Sequence, residues 1–360
     1  MTDEEQQAIQ THVEAISAIL YADCDPESLK TLEDIELTVK DKVLTHVTPQ
    51  IGNFFIYSAS GTKAGRVKKL KSTLGDLSIT QKQADKLGCG SGSRLSPHLE
   101  NCCLRLSANV AYQHAAKDIE YITGITVPAK TQQRLVHYQK FEQPYATADI
   151  TELSADGGKA RLITPFGEKS EWKDYKAIVS EAGIVASFDR NDIIIDWANK
   201  QPLAKPVTCL ADGHDGVWNI FKEISCQQDR REILDWYHLN ENLQKVGGSI
   251  KRLKQAETYL WQGNVKSAIA LFIQLKKKPA VNFCKYLEKH KERIINYEVF
   301  QRNDICSIGS GAVESGIKQI GRRIKISGAS WKSEHIGQVL AHRCAYLNGL
   351  IGRPPKTAQV

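Results

Sequence analysis

The chain has 360 residues, 41% of them apolar, so it can bury a sizeable core in roughly two or three domains; its nine cysteines include no C-x-x-C pair, which argues against a zinc ribbon or a disulfide framework and favours free thiols. Its 48 lysines and arginines against 41 aspartates and glutamates give a net charge of +7, which permits nucleic-acid binding without requiring it. No run approaches the roughly 18 apolar residues of a membrane span, and the acidic start is the reverse of a signal peptide, so we expect a cytoplasmic protein with no membrane partner.

Residues 1–94 predict a helical and basic N-terminal region. Residues 1–47 show the periodicity of two amphipathic helices, and the apolar face of the first is formed by Ile9, Val13, Ile16, Ile19 and Leu20. Oligomer contacts or simple packing would both explain that face. From Ile51 to Arg94 the pattern is short and broken, with a basic cluster at 63–71 that fits either a loop near DNA or a solvated charge run.

Residues 95–144 predict two short helices around a glycine-bearing turn at Gly124. This is the helix-turn-helix arrangement, and its second helix would offer polar and basic side chains to a major groove. The candidate DNA-contact residues in this helix are Lys130, Gln132, Gln133 and Arg134. A packed helical hairpin without DNA contact is the alternative.

Between residues 145 and 246 the pattern changes to strands. We expect strands at 148–155, 159–164 and 172–179, with Asp156-Gly-Gly as the turn between the first two, and a further strand at 193–195. The apolar run 207–211 predicts a buried strand that delivers Asp212 at its carboxyl end, followed by a helix. Residues 231–238 then predict a strand that runs into a helix from Leu239.

Residues 247–304 have helical periodicity throughout, and residues 305–352 contain a helix at Ile308–Lys325 with Ser310 as its N-cap. Four charged residues of this helix lie 0, 4, 8 and 11 positions from the first of them, a spacing that places them on one helix face. They are Glu314, Lys318, Arg322 and Lys325. One carboxylate at the head of a basic stripe suits a metal-binding acid beside a track for phosphates. A solvated helix with incidental ion pairs is the alternative.

The order of elements brings together Asp156 and Asp212 on strands and Glu314 on a late helix. Three acids in this order predict an α/β, ribonuclease-H-like mixed-sheet core at 145–246 and 305–352, interrupted by an all-helical insertion at 247–304. Oxygen ligands suit two Mg2+ ions, for which Mn2+ can substitute, and such a pair stabilises the attacking and leaving oxygens of a phosphodiester.

Six sequence blocks carry a resemblance to a known family. They are Leu153-Ser-Ala-Asp156-Gly-Gly, Trp172-Lys-Asp-Tyr-Lys176, Leu210-Ala-Asp212-Gly, Leu234-Asp-Trp-Tyr-His238, Leu260-Trp-Gln-Gly263 and Ile308-Gly-Ser-Gly-Ala-Val-Glu314-Ser. Together, in collinear order from about Leu95 to Leu350, they resemble the bacterial DDE transposases of the ISKra type. Paired cysteines expected near the N-terminus of that family are not present, since Cys89 stands alone.

The resemblance implies that Asp156, Asp212 and Glu314 are the catalytic, metal-binding acids. It also implies that Asp235 and His238 form an auxiliary pair near the active site; a satisfied, partly buried histidine is the alternative for His238. Asp215 is the most plausible misassignment for Asp212. Further backbone contacts to a DNA end would come from Lys318, Arg322, Arg323, Lys325 and Trp331.

The implied function is that of a DNA transposase. It would bind the inverted-repeat ends of its insertion sequence, cleave phosphodiesters and join the 3′ ends to target DNA, with water and a 3′-hydroxyl as nucleophiles. Its partners would be double-stranded DNA and at least one further copy of itself, and in a bacterial cytoplasm it would associate with the nucleoid when bound. The alternatives are a nuclease of the same fold without joining activity, and an inactive transposase-derived DNA-binding protein.

Overall fold

The computed structural model describes residues 1–89 and 92–352, which divide into two compact units. The first unit contains residues 1–106 and 112–132, and the second contains residues 107–111 and the chain from Gln133 onwards. The boundary at 132 falls inside a helix, within the predicted 95–144 region.

The first unit contains helices and one β-hairpin. Its helices are α1 (Asp3–Ala22), α2 (Leu32–His46), α3 (Thr48–Ser60), α4 (Gln81–Lys86), α5 (Pro97–Ser107, whose last residue belongs to the second unit), α6 (Tyr112–Thr123) and the start of α7 (Ala129–Tyr138). Strands β1 (Val67–Ser72) and β2 (Gly75–Thr80) pair antiparallel over a small core of Leu70, Leu77, Ile79 and Ala84. The two predicted N-terminal helices are confirmed, and so are the two helices flanking Gly124, whose φ of 73° ends α6.

The second unit is a mixed α/β structure built on one five-stranded sheet. Its strands are β3 (Ile150–Arg161), β4 (Trp172–Ser180), β5 (Gly183–Phe188), β6 (Leu203–Ala211) and β7 (Arg230–Leu234), in the order β5-β4-β3-β6-β7. β5, β4 and β3 pair antiparallel, whereas β3, β6 and β7 pair parallel. The α/β class predicted from the sequence is therefore confirmed.

From residue 191 onwards the described chain contains nine α-helices, of which the first two lie between strands of the sheet and the other seven follow β7. They are α8 (Asn191–Asn199), α9 (Asp215–Lys222), α10 (Trp236–Gln244), α11 (Ile250–Trp261), α12 (Val265–Ala270), α13 (Lys278–His290), α14 (Tyr297–Arg302), α15 (Gly311–Ile324) and α16 (Ser333–Leu347). The segment 291–302 contacts β7: the Tyr297 hydroxyl of α14 donates to the Leu234 carbonyl over 2.7 Å, and the Arg293 Nε, in the 3-10 turn before α14, donates to a Glu232 carboxylate oxygen over 2.7 Å.

Two strand predictions are wrong. The predicted turn at Asp156-Gly-Gly and the first three residues of the return strand predicted at 159–164 belong to a single strand, β3, because Gly157 and Gly158 continue the antiparallel ladder opposite Lys176 and Tyr175. A Cβ on Gly158 would lie 2.3 Å from the Tyr175 ring, so glycine permits the close approach here and does not mark a turn.

The predicted strand at 193–195 lies inside α8, whose residues Ile194, Ile195, Trp197 and Ala198 are buried together on the core side. A short apolar run does not distinguish a strand from a buried helical turn.

All nine cysteines are free thiols, as predicted. Within residues 1–89 and 92–352, no helix combines the length and the apolar content that crossing a bilayer would need.

Candidate active site

Three neighbouring strands, β3, β6 and β7, each have an aspartate directly after the last residue that pairs in their parallel ladders. The last residues in register across β3, β6 and β7 are Ala155, Ala211 and Leu234. The next residue in each strand is Asp156, Asp212 and Asp235, respectively. Since the carboxyl ends of parallel strands meet at one edge of the sheet, this register gathers three carboxylates in one row.

Asp235 is the fully buried member of this row, with no exposed surface. Its backbone N–H donates to the Ala211 carbonyl over 2.8 Å, and its carboxylate accepts from the His238 N–H over 2.8 Å and from the Ser310 N–H. Burial would raise the pKa of this carboxyl, but its hydrogen bonds to His238 and Ser310 outweigh burial and lower the pKa to about 2. Asp235 is therefore an ionised cap that ties β7, α10 and the start of α15 together.

Near Asp235 the structure differs from two predictions, the start of α10 and the capping role of Ser310. β7 ends at Leu234 and α10 begins at Trp236, earlier than the predicted helix start at Leu239, because Asp235 caps the first turn. Ser310 occupies the N-cap position of α15, but its hydroxyl makes no capping bond, and its backbone N–H binds Asp235 instead.

His238 lies in the first turn of α10 and faces the same carboxylate. Its Nδ1 is 3.4 Å from Asp235 Oδ1, and 35% of its side chain is exposed. Its interaction with Asp235 raises the His238 pKa to about 9, and the charges of Asp212 and Glu314 act in the same direction. The imidazole is thus a cation at neutral pH when no metal ion competes for it.

Glu314 reaches this pair from α15, which packs against β3 and β4. The ligand atoms of Asp235, His238 and Glu314 all lie within 4.8 Å of one another, so this group could hold a metal ion. Lys318 lies one turn further along the helix, with its Nζ 3.6 Å from a Glu314 carboxylate oxygen. Two carboxylates and one imidazole form a nitrogen-and-oxygen donor set that suits Mn2+ as well as Mg2+.

Asp156 and Asp212 lie on adjacent strands beside this group. Burial and the neighbouring charge of Asp212 raise the pKa of Asp156, against a hydrogen bond from the Gly157 N–H. Asp212 Oδ1 accepts the His214 N–H over 2.9 Å, in the turn that leads into α9. Among the described residues, the close group of three ligands includes Glu314 but neither of these two aspartates. The charges of Asp212 and Glu314 act on His238, and those of Asp212 and His238 act on Asp156, so the predicted acids share one electrostatic neighbourhood, but Glu314 shares its close ligand group with Asp235 and His238.

Asp215, the alternative to Asp212, points elsewhere. It is exposed, and its carboxylate pairs with the Lys289 Nζ of α13 at 2.5 Å, an ion pair that lowers the Asp215 pKa. This pairing links Asp215 to α13, whereas Asp212 lies in the row with Asp156 and Asp235.

Lys176 is a residue of the site whose role the sequence did not indicate. It lies opposite Gly157 in the β3–β4 ladder, and its Nζ is 2.8 Å from the position of a Cβ on Gly157. Its Cε is 3.6 Å from the position of a Cβ on Gly216, in the first turn of α9, and its charge lowers the pKa of Asp156. This lysine therefore extends across the row of acids. A lysine in the middle of a strand carries no distinctive local pattern, so its position depends on strand pairing.

The predicted DNA-contact residues divide into two sets. Lys130, Gln133, Arg134, Lys318, Arg322 and Lys325 are exposed. For Gln132, Arg323 and Trp331 the prediction is wrong, because these three side chains are buried at 0%, 1% and 9% exposure. A contact to DNA needs accessible surface, which these three side chains lack.

Each buried side chain has an internal role. The Gln132 amide donates to the Val127 carbonyl, and the Arg323 Nε donates to the Ser107 carbonyl over 2.7 Å. The Trp331 indole lies 4.9 Å from the Arg323 guanidinium and donates to the Ile324 carbonyl over 2.9 Å. Arg323 and Trp331 thus stabilise the end of α15.

Comparison with protein-family models and with curated proteins gives no match for this chain.

Proposed function

We propose that this chain is a DNA transposase whose ribonuclease-H-like core cleaves phosphodiesters at the site formed by Asp156, Asp212 and Glu314, with Asp235 and His238 as auxiliary residues. The observation that carries the proposal is the in-register row of aspartates directly after the parallel ladders of β3, β6 and β7, with Glu314 and a cationic His238 nearby. A row of acids at a strand edge is rarely retained for stability, since like charges repel, so it favours binding of cations.

The donor set fits divalent metal ions. The carboxylates of Asp156, Asp212 and Glu314 are hard oxygen ligands, and Glu314 has a second carboxylate and an imidazole within 4.8 Å. Bound Mg2+ or Mn2+ would supply Lewis-acid stabilisation of the phosphate and of the attacking and leaving oxygens.

The surrounding residues have complementary tasks. Asp235 is already saturated by hydrogen bonds, so it would hold His238 and the start of α15 in place. Lys176 would bind a non-bridging oxygen of the scissile phosphate. The exposed cations Lys318, Arg322 and Lys325 on α15 would neutralise phosphates of the DNA end. Joining two DNA ends requires at least two copies of the chain.

The test uses the purified full chain, DNA carrying the ends of its element, and a plasmid target, with Mg2+, Mn2+ or EDTA. The matched pair of variants is Asp212→Asn and Asp215→Asn, which remove the same charge three residues apart. We expect metal-dependent 3′-end cleavage and joined products for the wild type and for Asp215→Asn, and neither for Asp212→Asn.

The other outcomes separate the alternatives. Cleavage without joined products would indicate a nuclease. DNA binding without either reaction in Mg2+ and in Mn2+ would indicate an inactive transposase-derived DNA-binding protein. Equal activity of Asp212→Asn and the wild type would refute the site itself.

A further inference from the structure

Helix α1 has no buried residue along its 20 residues, and neither has α2. The last turn of α1 lies beside α2, where Leu20, Tyr21, Ile35 and Val39 line a cavity of about 400 Å3. From Asp3 to Ile19 every residue of α1 is exposed. In proteins most helical stability comes from packing of an apolar face, and within residues 1–89 and 92–352 nothing covers the apolar face of α1 from Ile9 to Ile16.

The apolar residues on one face of α1, exposed up to Ile16 and half-buried at Leu20, follow the spacing of a coiled-coil seam. Ile9, Val13, Ile16 and Leu20 are separated by four, three and four residues, which places them at successive d and a positions. The positions flanking this seam between Ile9 and Leu20 are Gln10, His12, Ser17 and Ile19, none of them a lysine, arginine, aspartate or glutamate. A second copy could therefore lie along the seam without like charges opposing each other.

Helix α2 extends the same apolar surface. Leu32, Ile35 and Val39 are 71%, 42% and 54% exposed and are separated by three and four residues. The seam of α1 has isoleucine at both d positions, with Val13 and Leu20 at a, and isoleucine at d with leucine at a favours more than two helices. Two copies that each contribute α1 and α2 would provide four.

The available surface is sufficient for a stable dimer. Ile9, Val13 and Ile16 are 50%, 53% and 39% exposed, close to the α2 values. If each of the three α1 and three α2 side chains buried on the order of 100 Å2 of accessible surface, two copies would bury about 1,200 Å2 in total. This area is at the lower end of the range for stable interfaces.

We infer that α1 and α2 form a self-association surface whose occupant is the same surface of a second copy of this chain. The inference does not depend on the proposed chemistry, because it concerns residues outside the candidate active site.

The test measures the mass of the full chain by sedimentation equilibrium over a range of micromolar concentrations. The disrupting variant is Val13→Glu with Ile16→Glu, and the control is Ala18→Glu, which places one such charge on the opposite face of α1. We expect dimers for the wild type and for Ala18→Glu, and a dissociation constant raised about tenfold or more for the double variant.

Since Val13 and Ile16 are exposed within one copy, the double variant should keep the far-ultraviolet circular dichroism and thermal midpoint of a folded chain at concentrations where the wild type is monomeric. A wild type that stays monomeric at about 100 μM would overturn the inference, and so would a double variant that dimerises as tightly as the wild type.

Discussion

Replacing Gly316 by alanine tests how closely α15, the helix that carries Glu314, packs on the sheet. A Cβ at Gly316 would lie 2.7 Å from Ile184 Cδ1 and 3.0 Å from Val179 Cγ2, both closer than carbon atoms approach without displacement. Overpacking of a core typically costs about 1–3 kcal/mol, whereas alanine in place of a helical glycine gains about 1 kcal/mol. We expect Gly316→Ala to lower the free energy of unfolding by up to about 2 kcal/mol.

Gly321 in the same helix is the matched control. A Cβ there would meet nothing nearer than Lys325 Cδ at 4.0 Å, so the gain in helix propensity should appear almost alone. We expect Gly321→Ala to raise the free energy of unfolding by about 0.5–1 kcal/mol.

Urea denaturation of both variants, followed by circular dichroism, measures the difference directly. Because α15 positions Glu314, Mn2+ affinity measured by calorimetry should fall for Gly316→Ala and remain unchanged for Gly321→Ala. Equal stabilisation by both substitutions would refute the close packing of α15 against β4 and β5.

Two further predictions concern the supports of the site. Tyr297→Phe leaves the buried Leu234 carbonyl without its 2.7 Å donor and should cost about 1–3 kcal/mol of unfolding free energy in urea, whereas Tyr121→Phe, at an 80% exposed position, should cost less than about 0.5 kcal/mol. A similar loss for both tyrosines would contradict the assignment of that bond. The second prediction concerns pH: the His238 pKa is raised to about 9 from 6.5, so its pairing with Asp235 stabilises the fold fully below about pH 6.5 and loses this contribution as pH rises through about 9. Because His238 is 35% exposed, we expect this contribution to be about 1–2 kcal/mol, measured without metal as the difference in unfolding free energy between wild type and His238→Gln at pH 6 and at pH 9.5. A difference that is the same at both pH values would contradict the pairing.

Asp235 illustrates how a buried charge can position the residues of the candidate site. Its carboxylate accepts hydrogen bonds from two helix starts, α10 and α15, and thereby positions His238 and the segment that leads to Glu314. Removal of the carboxylate would leave the Ser310 and His238 N–H groups unpaired in a buried position, which costs more than the loss of one hydrogen bond in solvent.

Local sequence patterns were sufficient to predict much of the secondary structure. Apolar periodicity predicted α1, α2, α6, α7 and α15, and the short apolar run ending at Ala211 predicted β6 and the position of Asp212. The same reasoning failed at Gly157 and Gly158, where glycine permits the approach of the Tyr175 ring and does not mark a turn. The local sequence around these two glycines contains no information on which strand will pair with them.

The sequence by itself determined the helical periodicities, the mixed α/β class and the acids that end β6 and begin α15. Tertiary structure alone decided that Asp156, Asp212 and Asp235 share one row, because the row depends on the register of three strands separated along the chain. It also decided that Arg323 and Trp331 are internal supports and not DNA contacts, since burial of a charged or aromatic side chain depends on what the rest of the chain packs around it. Glu314 joins Asp235 and His238 for the same physical reason: helix α15 docks on a sheet whose strands precede it by many residues, and its position follows from that packing.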